Sequence, residues 1–78
     1  SISYQLHHHR SEVWTVVDGK GEFVLDGERR QVSRGDVLNI PSGHLHAVRA
    51  LGTELSIIEV QIGCPLVEED IERFEWEW

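Results

Sequence analysis

Turn-forming residues interrupt this chain so often that no long helix fits between them. Asp18-Gly19, Asp26-Gly27, Arg34-Gly35-Asp36, Pro41-Ser42-Gly43, Gly52 and Gly63-Cys64-Pro65 punctuate its 78 residues. At each the backbone can reverse or take up a conformation that other residues avoid. The runs between them are rich in β-branched and aromatic side chains. Ahead of residue 68, no window of about eleven residues shows a 3.6-residue apolar period. The spacing predicts strands over residues 2–9, 13–17, 22–25, 29–32, 37–40, 47–50 and 55–62. Only residues 68–75, after Pro65, suit a short helical turn. Short strands joined by tight turns imply an all-β antiparallel fold, a sandwich or a small barrel.

A chain of this length makes one domain, and burying only about 60% of its unfolded surface leaves a thin core. We divide it into a single domain over residues 1–67 and an acidic, aromatic tail over 68–78. The tail holds six acids and one arginine, so it carries most of the net charge of −7. A chain without a basic stripe is no phosphate-backbone binder, and no nucleic-acid partner is expected. No apolar run approaches the roughly 20 residues of a membrane-spanning helix, so no membrane partner is expected either. The single cysteine, Cys64, has no internal partner and is assigned no chemistry. With no basic-then-apolar N-terminus beside it, this points to a reducing, cytoplasmic setting. The chain begins at Ser1 and contains no methionine, which reads as a fragment, a processed product or a trimmed chain. Phe74, Trp76 and Trp78 need somewhere to pack, on this fold or on a second chain. Together with the thin core and open strand edges they make a homodimer the expected assembly.

All five histidines fall in two clusters, His7-His8-His9 and His44/His46. In an extended segment residues two apart share a face, so Gln5, His7 and His9 point one way and Tyr4, Leu6 and His8 the other. Past a bend expected near Arg10-Ser11, Glu12 shares its face with Trp14 and Val16. Imidazoles, a carboxylate and an amide oxygen on one face suit a divalent ion, and Zn, Mn, Fe, Co or Ni all accept that donor set. The plainer alternative is a polar surface patch. A tag remnant is disfavoured, because the histidines lie between strand residues. Tyr4 and Trp14 read as core aromatics. Glu59 and Gln61 share a face with Leu55 and Ile57, so they either line a pocket or sit on an exposed stretch.

The run Gly35-Asp36-Val37-Leu38-Asn39-Ile40-Pro41-Ser42-Gly43-His44-Leu45-His46 reads as Gly, five residues, Pro-x-Gly, two residues, His. It resembles the second motif of the cupin superfamily, whose final His is a metal ligand. Gln5-x-His7, Glu12 and Gly19 resemble the first motif, with Gln in place of its first His. Two such motifs in order imply a small antiparallel β-barrel of the jelly-roll (cupin) type. Within that superfamily, Gln5-Leu6-His7-His8-His9-Arg10-Ser11-Glu12 is similar to the core of type II mannose-6-phosphate isomerases. That domain often forms the C-terminal part of bifunctional mannose-1-phosphate guanylyltransferase/isomerases. Leu25-Asp26-Gly27-Glu28, Ile58-Glu59-Val60-Gln61-Ile62-Gly63 and Glu69-Asp70-Ile71-Glu72-Arg73-Phe74 extend the similarity over nearly the whole chain.

The resemblance implies a metal-dependent isomerase acting on a sugar phosphate, mannose 6-phosphate to fructose 6-phosphate, by proton transfer through an enediolate. It implies Gln5, His7, Glu12 and His46 as ligands of a divalent metal ion, with Glu12 the negative one. Glu12 and His9 are the candidate catalytic residues; His9 is a base, an alternative ligand or a pocket-wall residue. Arg10 either grips the sugar phosphate through its fork of donors or pairs with a surface acid. His44 either stands at the pocket mouth or is a solvent-exposed turn residue, and His8 has no role. The chain departs from the family at Val13, where His is usual, at Leu45, where Lys is usual, and at Ala47, where a basic residue is usual. Glu75-Trp76-Glu77-Trp78 replaces an Asp-x-Tyr-Gly-Arg pattern. Two other readings stand beside the isomerase: a non-catalytic cupin that binds a metal or small ligand, and a metal-dependent dioxygenase.

Overall fold

The computed structural model describes residues 2–63 and 69–78. It contains six strands: β1 (Ile2–Leu6), β2 (Arg10–Leu25), β3 (Glu28–Ser33), β4 (Val37–Ile40), β5 (His46–Gly63) and β6 (Glu72–Phe74). Every pairing is antiparallel, in the order β3-β2-β5-β1-β6, with β4 also on β2. No helix occurs among the described residues, as the broken apolar period implies. The strand path does not return on itself, so the sheet is open.

Two strands overrun the turns that were expected to end them. β2 has 16 residues and β5 has 18; each fuses two predicted strands, 13–17 with 22–25 and 47–50 with 55–62. Asp18-Gly19 is a bulge rather than a reversal, because β5 pairs with β2 along nearly its whole length while β4 and β3 share the other edge. The register slips between Val16 and Asp18 and again between Gly19 and Gly21. Burial records the slip: Glu12, Trp14 and Val16 are buried before it, Gly21 and Phe23 after it. An extra residue in one strand produces such an even-to-odd switch. Gly19 has φ 88°, and a Cβ there would run into the Glu54 carbonyl oxygen, so this close approach requires glycine.

The core lies on one face, where Trp14, Val16, Phe23, Val32, Leu38, Ile40 and Val48 cluster. The Trp14 and Phe23 rings meet edge-on at 5.8 Å. Val24 and Ala47 are register partners that point to the opposite face. There they join Tyr4, and Leu45, Trp76 and Trp78 pack over them. The C-terminal tryptophans therefore cover this chain's own back face, with Tyr4 and Trp76 rings 5.0 Å apart. Arg29 stacks on Trp76 and Arg49 on Trp78.

The expected helical turn is corrected. Glu69 and Asp70 form a turn and bend, and Glu72–Phe74 extends as β6 along β1. The open edge of β1 offers backbone partners that an isolated helical turn lacks. β1 is also shorter than predicted, and the bend falls at His8-His9 rather than Arg10-Ser11. The Asp70 carboxylate causes this by accepting the His8 N–H at 2.7 Å and the His9 N–H at 2.8 Å. Cys64, Pro65 and Glu68 lie outside the described residues. No helix among the described residues is long and apolar enough to cross a membrane.

Candidate metal centre

Three elements each deliver one side chain to a common point. His7 follows β1, Glu12 lies near the start of β2, and His46 opens β5. Their ligand atoms all lie within 4.8 Å of one another, and the residues are 3%, 2% and 0% exposed. Gln5 is half-buried and stands directly across the ladder from His46, which puts the two on one face.

Each member of the triad has one polar atom engaged away from the centre and another facing it. His7 Nδ1 lies 2.6 Å from the Asp70 carbonyl oxygen. A carbonyl only accepts, so Nδ1 carries the proton and Nε2 presents its lone pair. His46 Nδ1 meets the His44 carbonyl at 3.1 Å, with the same consequence. Trp14 Nε1 donates to Glu12 Oε1 at 2.7 Å, leaving Oε2 3.2 Å from His7 Nε2. His46 Nε2 is buried and has no hydrogen-bond partner among the described residues. Leaving such an atom unsatisfied costs about 1–3 kcal/mol. Burial holds the His46 imidazole below its ordinary pKa, against the opposing pull of the His44 carbonyl and the Glu12 charge. The neutral ring that results is the form a metal requires. Two imidazole nitrogens and a carboxylate oxygen fit Zn, Mn, Fe, Co or Ni, and an ion would satisfy the orphaned Nε2.

Arg10 reaches into this space. Its Nε donates to Glu12 Oε2 at 3.1 Å and its terminal nitrogen to His7 Nε2 at 3.1 Å. The acid that Arg10 meets is thus the buried Glu12, not a surface carboxylate. His9 is exposed on the bend and lies outside the His7–Glu12–His46 group. The strand alternation that would have aligned it with His7 ends at Leu6. His8 is exposed too and pairs with Glu72 at 2.9 Å.

His44 is exposed, with Nδ1 2.5 Å from Asp26 Oδ2; its ring serves the turn while its carbonyl serves His46. Leu45 and Ala47 belong to the back-face cluster. Glu59 and Gln61 are register partners of Trp14 and Glu12, so they share the face of the centre, and both are exposed. Partial desolvation by the neighbouring strands, then the nearby Glu12 charge, push the Glu59 carboxyl up.

Two contributors escape the sequence reading. Trp14 reads as a core aromatic, although Glu12-x-Trp14 spacing places the indole N–H beside the carboxylate on one face. Asp70 reads as part of an acidic tail. Nothing local separates it from Glu69 or Glu72, since its partners lie at residues 7 to 9. Burial pushes its carboxyl up, but the amides of His8 and His9 outweigh this and hold it below the usual range.

The family model described as mannose-6-phosphate isomerase C-terminal matches residues 1–76. The chain is 45% identical over 76 residues to alginate biosynthesis protein AlgA of Pseudomonas putida, aligning 96% of itself. It is 39% identical over 75 residues to mannose-1-phosphate guanylyltransferase ManC of Salmonella typhimurium (95% of this chain). It is 41% identical over 76 residues to xanthan biosynthesis protein XanB of Xanthomonas campestris (96%). The chain spans 16% of the length of each of these relatives. A solved structure from Acidithiobacillus ferrooxidans, described provisionally as a sugar phosphate isomerase, superposes with TM-score 0.69 at 28% identity over 76% of this chain and 39% of that one. KdgF from Halomonas sp. gives 0.68 at 28% identity, over 76% of this chain and 55% of that one.

Proposed function

The chain belongs to the mannose-6-phosphate isomerase C-terminal family, and from that premise we propose that it is a metal-dependent sugar-phosphate isomerase module of cupin, jelly-roll type. The observation that carries the proposal is the buried Nε2 of His46, unpartnered among the described residues, beside a carboxylate oxygen and a second imidazole turned to the same point. In this reading His7, Glu12 and His46, with the Gln5 amide oxygen, hold a divalent ion. When bound, such an ion polarises a carbonyl oxygen and offsets negative charge developing on it. The reaction interconverts mannose 6-phosphate and fructose 6-phosphate by moving a proton between C1 and C2.

The chain's own groups do the remaining work. Trp14 holds Glu12 by Oε1, so that its free oxygen keeps one direction. The Arg10 side chain is only 13% exposed, and its guanidinium bridges Glu12 and His7; it is the donor fork for the sugar phosphate once it leaves that bridge. His9, on the adjoining bend, is the proton carrier, and His44 lines the approach beside Asp26. Cytoplasmic location belongs to the same proposal. So does a homodimer, now supported by an exposed apolar row of Val37, Ile58, Val60 and Ile62.

A second reading is favoured by Leu45 and Ala47. Where the family usually carries basic side chains, these two pack into an apolar cluster, which suits a non-catalytic module that binds metal or a small ligand. A dioxygenase is less favoured and rests on the two-His, one-carboxylate donor set alone. Conversion of mannose 6-phosphate to fructose 6-phosphate by metal-loaded protein, absent in His46→Ala, is the expected result. Saturable ligand binding without turnover supports the module instead, and iron-dependent oxygen uptake the dioxygenase.

A further inference from the structure

One buried polar residue beside the centre has no task in the function proposed above. Asp70 is 7% exposed, in a segment that is mostly exposed, and three of its oxygens are used. Oδ1 accepts the His8 N–H at 2.7 Å, Oδ2 the His9 N–H at 2.8 Å, and the backbone oxygen meets His7 Nδ1 at 2.6 Å. The carboxylate clamps the bend behind His7, and the carbonyl clamps the His7 ring. The residues after Asp70 are anchored elsewhere. Phe74, Arg73 and Glu72 pair with Tyr4, Gln5 and Leu6. Trp76 and Trp78 pack on the back face, and Arg29 donates to the carbonyls of Glu77 and Trp78 at 2.9 and 2.5 Å.

From this geometry we infer that Asp70 is a positioning residue coupling the metal centre to the C-terminal segment, so that ion binding at His7, Glu12 and His46 and seating of residues 69–78 strengthen each other. The inference rests on the metal-binding part of the proposed function and not on isomerisation. A carbonyl at Nδ1 sets both the tautomer and the ring plane of a ligating imidazole, and outer partners of this kind are worth about 10–100-fold in metal affinity. His46 takes its carbonyl from His44, two residues away, whether or not the segment is seated. His7 takes its carbonyl from the far end of the chain, so it is held ready only when that end is docked. Coupling of this kind is reciprocal: whatever the seated segment adds to ion affinity, the ion adds to seating.

The test uses the full chain with Co²⁺ as probe, read by its visible absorption and by amide hydrogen exchange with and without the ion. Asp70→Ala, which keeps the carbonyl but removes the clamp, is expected to weaken Co²⁺ binding about 10–100-fold and to alter the absorption. Asp70→Asn, retaining one acceptor oxygen, falls between it and wild type. Glu75→Ala, at an exposed acid of the same segment, leaves the affinity within about twofold of wild type, unlike its buried neighbour. In wild type Co²⁺ slows exchange at residues 70–74, and in Asp70→Ala it does not. A folded Asp70→Ala with unchanged affinity and spectrum overturns the inference. If that variant does not fold, the wild-type exchange decides, and absence of Co²⁺-dependent protection at residues 70–74 overturns it. Wild type that binds no Co²⁺ removes the metal reading and the coupling together. Binding without turnover removes only the isomerase, and the coupling is then supported or overturned by the Asp70 variants.

Discussion

The two loops that supply imidazoles follow one plan with different anchors. In each an aspartate gathers backbone amides or a neighbouring ring, and a backbone carbonyl accepts a hydrogen bond from the Nδ1–H of the candidate ligand histidine. For His46 the carbonyl is local, two residues back, and the aspartate sits on the β2–β3 turn, 18 to 19 residues from His44 and Leu45. Asp26 accepts the Leu45 N–H and meets the His44 ring, its own N–H donates to the Leu45 carbonyl, and the His44 carbonyl meets His46. For His7 both the aspartate and the carbonyl are Asp70, 61 to 63 residues away. The loops also touch, Gly43 N–H donating to the His7 carbonyl at 2.6 Å. The carbonyl that orients His46 comes from its own turn, and the rest of that anchor needs only the pairing of β2 with β5. A ligand held from the far end of the chain is set only when the whole sheet is assembled.

The contrast between the loops can be broken or sharpened by substitution. The largest effect is expected at the ligands: His46→Ala should abolish stoichiometric divalent metal binding in a calorimetric titration, whereas His8→Ala should leave it in place. Equal losses would mean that the cluster is not sorted into ligand and surface histidines. Next comes the backbone at each loop. A Cβ at Gly63 would strike the His9 carbonyl and Arg10, while one at Gly27 meets nothing within 4 Å. Gly63→Ala should therefore cost about 1–3 kcal/mol by overpacking, measured by urea unfolding. Gly27→Ala, limited to the strain of φ 83°, should cost about 1–2 kcal/mol and leave metal binding intact.

Smaller effects probe the anchors. Asp26→Ala removes the partner of the Leu45 amide and should cost about 0.5–1.5 kcal/mol. Its effect on metal affinity should be smaller than that of Asp70→Ala, since the His44 carbonyl is tethered two residues from His46 whereas the Asp70 carbonyl reaches His7 from 63 residues away. A larger effect at Asp26 than at Asp70 would reverse the comparison. The smallest change is expected for His44→Ala, whose side chain is half-exposed and reaches no ligand atom. Metal affinity should stay within about twofold, as is usual for surface positions. A raised KM for mannose 6-phosphate with unchanged metal binding would place the ring at the pocket mouth.

Residues near one another in sequence, or obeying strand alternation, were legible without a structure. Glu12, Trp14 and Val16 alternate inward as read, and Tyr4 and Trp14 are core aromatics. Alternation failed for His9, because the rule holds only while the strand continues and a side chain from elsewhere ends it at Leu6. It failed again at Asp18-Gly19, where a turn signal in isolation becomes a bulge once β5 pairs on both sides of it.

What the sequence determined by itself is the stock of short-range choices: an all-β chain, inward faces for Glu12 and Trp14, and a turn that presents His46. These follow from side-chain period and local backbone preference, which act over a few residues. Only the tertiary structure decided that β2 and β5 run through their turn signals, that the acidic end becomes a strand along β1, and that the two tryptophans after it pack on the back face. Only it decided that Asp70, indistinguishable locally from its acidic neighbours, holds His7. Those outcomes depend on which edges, amides and carbonyls remain to be satisfied once distant segments meet, and no local pattern carries that information.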